Sequence, residues 1–298
     1  TRWKVKERQS TPRHYKQWFR SILHATDFSA ASDIAFSHAL VLALVGRSKL
    51  AVLHDGTRRE ENYSWNDFPR VRETLARWGL LPKDSAPSKV FERVGIKVQK
   101  IATTESDPQR AILGYLEDHE IDLLVLTTES RHGLARLAHP SIAEPLARKS
   151  QIATLFIPKD VKGFVDVNDA TINLNRILIP IDDTPHAGAS LRIAARLGEV
   201  LSDELKFSLI HVAQSHSLAG ENAELTKSLA WPLVEMAGDV VDGITETARR
   251  EGTDLLVMPT AGHHGVVDVL RGSTSEQVLR RAPCPVLAVS ARAKFPWF

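Results

Sequence analysis

Between Met258 and Arg281 the chain reads MPTAGHHGVVDVLRGSTSEQVLRR, and these residue types suit an anion. Gly262 and Gly272 let the backbone turn with no Cβ in the way, so N–H groups can converge on one acceptor. Ser273, followed by Thr274 and Ser275, opens a helical stretch. The first N–H groups of a helix have no partner inside it, and its positive dipole end favours phosphate. Ser273 and Glu276 also form an S-x-x-E capping box, which satisfies some of those donors and leaves others for a ligand. Upstream, Asp182 ends the apolar run ILIPI and can accept hydrogen bonds from ribose hydroxyls or an adenine amine. Asp27, in HATD, holds the same place earlier in the chain. An aspartate at either position is equally a turn residue that leads into the next helix.

The elements that must position these groups occur twice. RSILHATDFSAASDIAFSHALVLA from Arg20 resembles RILIPIDDTPHAGASLRIAARLG from Arg176, and KLAVLHDG from Lys49 matches KFSLIHVA from Lys206. IDLLVLTTESRHG from Ile121 matches TDLLVMPTAGHHG from Thr253, and PSIAEPLARKSQIATLFIP from Pro140 matches GSTSEQVLRRAPCPVLAVS from Gly272. The same order of matches in both halves identifies a tandem duplication. Within each repeat, nearly continuous apolar runs alternate with amphipathic stretches of helical period. This is the pattern of a doubly wound, parallel-sheet α/β fold of Rossmann-like type. Ligands of such sheets bind beyond the carboxyl ends of the strands, where Asp182 and the stretch after Met258 both fall. Thr184 followed by Pro185 predicts an N-cap with proline at the first helical position. Ser29 predicts a helix start, Gly46 its stop, and Ser141 with Glu144 repeat the capping box.

The boundaries predicted are a basic arm over 1–19, a first domain over 20–158, a linker over 159–175 and a second domain over 176–293. An insert over 57–90, with Trp65, Phe68 and Trp78, has no counterpart in the second repeat and is expected to pack on its own domain. The linker, with alternating Val and Ile, is read as a short edge hairpin, and the basic arm as a solvated terminus.

At 298 residues, 43% hydrophobic and 25% charged, the chain has the composition of a globular protein. No apolar run reaches the roughly 18 residues of a membrane span, and the first twenty residues lack the apolar core of a signal peptide. The net charge of +2 gives no reason to expect a specific nucleic-acid partner. A single cysteine, Cys284, fits a reducing compartment, and a cytoplasmic location is expected.

Catalytic motifs are missing. There is no G-x-x-x-x-G-K-[ST] loop, no G-x-S-x-G elbow and no H-E-x-x-H helix. Asp182 and Asp183 are adjacent rather than arranged as a separated acid and base. His54 and His211 align at strand ends, and His132 aligns with His264 beside His263, but no C-x-x-C or H-x3-H pair gives zinc its ligands. No catalytic residue and no metal site is assigned.

The stretches ILHATDFSAAS, ILIPIDD, DLLVMPTAGHHG and LRGSTSEQVLRRAPCPVLAV resemble the universal stress protein family. The resemblance covers both repeats and omits the basic arm and the insert. Nucleotide-binding members carry G-x2-G-x9-G-[ST] after the fourth strand. Here the second repeat reads Pro259, Gly262, Gly272 and Ser273 at those places, so proline replaces the first glycine. The first repeat reads Thr127, Ser130, Pro140 and Ser141 and looks degenerate. The resemblance implies that the adenine-facing turn after the second strand falls at Val212 in the second repeat and Asp55 in the first.

The resemblance implies a non-catalytic regulatory or stress-response protein that holds ATP, with magnesium as its companion, in the second domain. The contacts it implies are Pro180, Asp182, Val212, Met258, Gly262, Gly272, Ser273, Thr274 and Ser275. Family sheets pair across a dimer, so the two repeats are expected to form an internal pseudo-dimer through the apolar last strands TLFIP and PVLAVS. A homodimer of the whole chain is a further step of the same kind. Two other readings stand beside this one. One is a nucleotide-free adaptor that engages a protein partner through the insert or the arm. The other is a slow ATPase.

Overall fold

Apolar runs and amphipathic stretches alternate in space as they do in sequence. The computed structural model describes residues 3–4, 18–54, 65–128, 152–201, 204–213, 218–260, 274–293 and 295. In chain order the elements of the first half are β1 (Trp3–Lys4), β2 (Ser21–Ala25), α1 (Ala30–Gly46), β3 (Lys49–His54), α2 (Val71–Arg77), α3 (Ser88–Val94), β4 (Lys97–Ala102), α4 (Pro108–Asp118), β5 (Leu123–Thr128) and β6 (Ala153–Pro158). Those of the second half are β7 (Thr171–Ile172), β8 (Arg176–Pro180), α5 (Gly188–Leu201), β9 (Lys206–Ala213), α6 (Gly220–Leu229), β10 (Leu233–Ala237), α7 (Val240–Glu251), β11 (Leu255–Thr260), α8 (Thr274–Arg281) and β12 (Val286–Ser290).

The chain divides into two compact units. The first-repeat unit comprises Arg2–Thr127, Val165–Asn173 and Phe295–Phe298, and the second-repeat unit Thr128–Phe164 with Leu174–Lys294. In the first-repeat unit the strands run β4-β3-β2-β5, all parallel. In the second-repeat unit the order is β10-β9-β8-β11-β12-β6, parallel throughout except that β6 lies antiparallel to β12. Parallel strands covered on both faces are apolar along their whole length, and β8 is buried from Ile177 to Pro180. Each fully buried Ile, Leu or Val contributes about 1.5–3 kcal/mol. The pairing of β6 with β12, in register Phe156 with Val286, is the one expected of TLFIP and PVLAVS.

Both units use the same tie at the start of their central strands. Asp122 accepts hydrogen bonds from the Arg20 and Ser21 N–H groups at 2.6 and 3.1 Å. Asp254 accepts those of Asn175 and Arg176 at 2.7 and 3.0 Å. The main chain answers, with Asp122 N–H donating to Ser21 and Asp254 N–H to Arg176.

The helix start expected at Ser29 is observed. Ser29 caps α1 by accepting from the Ser32 N–H, and Asp107 and Asp239 cap α4 and α7 in the same way. Two expectations are corrected. Gly46 is the last helical residue, and the left-handed position after it belongs to Arg47 at φ 52. A Cβ on Gly46 would lie 2.7 Å from the Ser48 hydroxyl and 3.3 Å from the Trp18 ring, so glycine is there for close approach and not for turning. Helix α5 begins at Gly188, so Thr184 and Pro185 belong to a turn, joined by a cis peptide bond. The capping-box residues Ser141, Glu144 and Ser273 lie outside the described residues, as does the Glu276 side chain.

Within the insert, Phe68 and Trp78 are buried while Trp65 is exposed. The Trp78 indole donates to the Val167 carbonyl of the linker at 3.0 Å. The linker itself forms a tight antiparallel bridge between Val165 and Ile172, and β7 pairs onward with β1. Of the basic arm, Trp3 and Lys4 are thus strand residues rather than a solvated tail. Cys284 is a free, buried thiol whose burial pushes its pKa up to about 12. It packs as a small apolar residue.

Two buried histidines make the fold sensitive to acid. His38 donates through Nδ1 to the Ile34 carbonyl and accepts at Nε2 from the Val165 N–H. His24 lies against the Val125 carbonyl and the Ser32 hydroxyl. Burial lowers both pKa values to about 4. Unfolded, each titrates near 6.5, so between about 6.5 and 4 the unfolded chain binds more protons than the folded one. Stability should therefore fall as pH is lowered from 6.5 towards 5, with an uptake approaching two protons on unfolding. Urea melts at stepped pH check this, and a His38→Gln chain should give a profile shallower by about one proton.

Candidate functional site

The cavity of interest lies at the carboxyl ends of the strands in the second-repeat unit. It is a space of about 350 Å³. Its walls come from the end of β8 (Pro180, Ile181, Asp182), the turn at Thr184 and Pro185, and the end of β9 (Ile210, His211, Val212). Val240 and Ile244 of α7, Met258 and Pro259 of β11, and Thr274 and Ser275 of α8 complete it. Pro180, Asp182, Val212, Met258, Thr274 and Ser275, all singled out in the sequence, thus meet around one space. Gly262, Gly272 and Ser273 lie outside the described residues.

The opening arises because two strands part early. β8 and β11 pair only through Ile177 with Leu255 and Leu178 with Leu256. β11 then continues beside β12 as far as Thr260. The Leu256 N–H donates towards β12, and in a strand alternate residues point the same way. Position 259 therefore turns its nitrogen to the β8 side, beyond the last pair. Proline there sacrifices no ladder bond, and it brings no N–H to the cavity mouth.

The walls are of two kinds. Ile181, Ile210, Val212, Val240, Ile244 and Met258 form an apolar slot. Gly243 lets α7 approach this floor, since a Cβ there would stand 2.8 Å from Val212 and 3.2 Å from the Met236 sulfur. Against the slot stands the half-exposed Asp182 carboxylate, which accepts the Asp183 N–H at 2.8 Å. Thr274 and Ser275 in the first turn of α8 complete the wall. Helix α8 is held in place by an Arg281–Asp242 ion pair and by Arg249 donating to the Arg281 carbonyl at 3.0 Å.

His211 supports the site from below. It is buried, donates through Nδ1 to the Ile181 carbonyl at 3.2 Å, and lies 3.8 Å from the Asp182 carboxylate. His54 makes the equivalent bond to Thr26 at 2.9 Å in the first-repeat unit. Both rings tie the second strand to the chain leaving the first. Among the described residues no group of three or more His, Cys, Asp or Glu side chains could hold a metal ion. His132, His263 and His264 lie outside them.

Asn222 escaped sequence reasoning. It sits in α6, buried, and its amide donates to the Asp182 and Pro185 carbonyls at 2.6 and 3.1 Å. Its oxygen accepts from the Ala187 N–H at 3.0 Å. One side chain thus shapes the whole turn beneath Asp182. Nothing in the local pattern GENAEL distinguishes it from a solvent-facing helix residue. Val240 and Ile244 were legible only as apolar positions four apart on an amphipathic helix.

The same place in the first-repeat unit is furnished differently. Phe28, where the second repeat has Asp183, adopts a φ of 61°, uncommon for a bulky residue. Its ring stacks on His54 at 3.9 Å, and Phe68 of the insert meets it edge-on at 5.3 Å. His54 is the counterpart of His211, which lines the second-repeat cavity. Aromatic side chains of the chain itself therefore stand where the second repeat has Asp183 and open space beside His211. His24, where the second repeat has Ile179, adds its bond to Val125 across β2 and β5.

Asn222→Ala should leave two carbonyls and one N–H of the turn without their partner, at a cost of about 2–3 kcal/mol. A urea melt checks this, and a change below about 0.5 kcal/mol would show that the turn is held otherwise.

Comparison with known proteins places these features. A family model described as the universal stress protein family matches residues 19–158 and 227–290. A curated universal stress protein of Methanocaldococcus jannaschii is 39% identical over 59 residues, and the match spans 20% of this chain and 35% of that relative. A second from the same organism is 22% identical over 156 residues, 47% of this chain and 96% of the relative. Among solved structures, a universal stress protein from Archaeoglobus fulgidus has a TM-score of 0.61 at 19% identity, covering 93% of this chain and 97% of its own. A putative universal stress protein from Pseudomonas aeruginosa has a TM-score of 0.58 at 18% identity, covering 92% and 94%. These two structural likenesses are likenesses of fold.

Proposed function

We propose that this chain, which belongs to the universal stress protein family, is a non-catalytic regulatory protein that holds an adenine nucleotide, ATP, in its second repeat. The observation that carries the proposal is the convergence of Pro180, Asp182, Val212, Met258, Thr274 and Ser275, from four separate stretches of sequence, on one cavity of about 350 Å³. An apolar slot with a few directed polar groups is how small-molecule sites are built. The slot between Val212, Ile244 and Met258 suits a flat base. Asp182 at its edge suits a hydroxyl or amine donor. The first turn of α8 offers N–H groups and a positive dipole end to phosphate.

Gly262, Gly272 and Ser273 carry the remainder of the phosphate contact in this reading. Magnesium enters as a companion of the phosphates, because the described residues hold no carboxylate or histidine cluster of their own for it. With Pro259 at the mouth, one backbone donor is withheld from the ligand. In this reading the site binds its nucleotide without turning it over, and the role is regulatory. The aromatic stack of Phe28 on His54 supports the second repeat as the one that holds the nucleotide. A cytoplasmic setting remains part of the proposal, and among the described residues no helix is long and apolar enough to cross a membrane.

Calorimetric titration of ATP with magnesium into nucleotide-stripped protein should give one site per chain. Asp182→Ala should weaken binding about tenfold, equivalent to about 1.4 kcal/mol. Gly272→Val should remove the heat while leaving the urea midpoint unchanged. Two sites, or none, would contradict the proposal.

A further inference from the structure

A second concavity lies in the first-repeat unit, far larger than the first. It is an open basin of about 1310 Å³ built by the insert and the edge strand β4. Arg70, Arg72, Arg77, Lys83, Lys97 and Lys100 line it, against Glu73 and Asp84 as the acidic residues. Among the described residues the salt bridge of this basin is Arg70 with Glu73 at 3.2 Å, both being well exposed. Arg72 donates to the neutral Ser85 carbonyl at 2.9 Å. The pKa of Lys100 is lowered, first by burial and then by Arg72 and Arg70. Like charges are crowded there.

Two of the exposed large apolar side chains of the described residues, Trp65 at 59% and Phe91 at 55%, stand in this same basin. Lysines stand over Phe91 and over the buried Phe68 that backs Trp65. Lys97 Nζ lies 5.5 Å over Phe91. Lys100 Nζ lies 5.7 Å over Phe68, on which Trp65 is stacked at 5.3 Å. Trp65 is in turn the outer member of a run of rings that continues inward through Phe68 and Phe28 to His54. Its support is therefore fixed from behind while its outer side meets solvent.

We infer that this basin binds single-stranded nucleic acid without sequence preference. Such binding combines a positively charged groove for the backbone with exposed rings on which bases stack, every base having a face to offer. The basin supplies both within one surface. Its volume exceeds the roughly 300–1,000 Å³ of small-molecule sites, which favours a chain of several nucleotides over a single one. An acidic peptide would satisfy the cations and leave the two exposed rings without a planar partner. The net charge of the whole chain, +2, gives no hint of this patch because acidic residues elsewhere offset it.

The test is fluorescence anisotropy of a labelled ten-base oligothymidylate titrated with the full chain, at several salt concentrations. Binding should weaken as salt rises, as phosphate contacts require. It should persist in saturating ATP. Trp65→Ala should weaken it about tenfold, within the range of one base–ring stack, and the pair Lys83→Glu and Lys97→Glu should abolish it, with the urea midpoints of both variants unchanged. Absence of binding would overturn the inference, as would binding indifferent to these substitutions or displaced by ATP. Tighter binding of a polyglutamate of equal charge would overturn it in favour of an acidic protein partner.

Discussion

The central constraint is a carboxylate at the beginning of a strand. Asp254 holds the Asn175 and Arg176 N–H groups and receives its own return bond, so β8 and β11 start in fixed register. Beyond that start they pair through two residues only and separate before their ends. The separation is what creates the cavity. A parallel pair with a continuous ladder to Pro180 would close it. The tie fixes where the two strands begin, and the cavity lies where their pairing has stopped.

The two repeats show how one scaffold takes two different endings. Asp122 repeats the role of Asp254, and His54 repeats that of His211. Above this shared base the first repeat bonds β2 to β5 further along, with His24 reaching Val125. It then lays Phe28 across His54. The insert contributes Phe68 to the same stack. The first repeat also has Thr127, Ser130 and Pro140 where the second has Pro259, Gly262 and Gly272. The second repeat keeps an apolar slot because its corresponding positions, Ile179 and Asp183, send no ring across His211.

Much of this was readable from residue order. Strict repetition of apolar runs exposed the duplication, and strand ends located the cavity before any side chain was placed. The last strands were recognisable as partners because both are apolar throughout. What escaped had a physical reason in each case. Thr184-Pro185 carries the signature of a helix start, but Asn222, which lies 35 residues beyond Ala187 in sequence, holds the segment as a turn. Gly46 looks like a left-handed cap, yet its requirement is the nearness of Trp18, a residue 28 positions earlier. Pro259 reads as damage to a glycine pattern, while its position in β11 shows a strand residue whose missing donor no neighbour needs. Local rules fail where a distant side chain settles the conformation.

The central claim is that nucleotide occupies one repeat and the chain's own aromatics the other. Hydrogen exchange with and without ATP and magnesium tests both halves at once. Protection is predicted at the ends of β8 and β9 and in the first turn of α8, with no change from Ala25 to Ser29 or from Leu53 to His54. Equal protection in both repeats would contradict the account, and so would protection confined to the first.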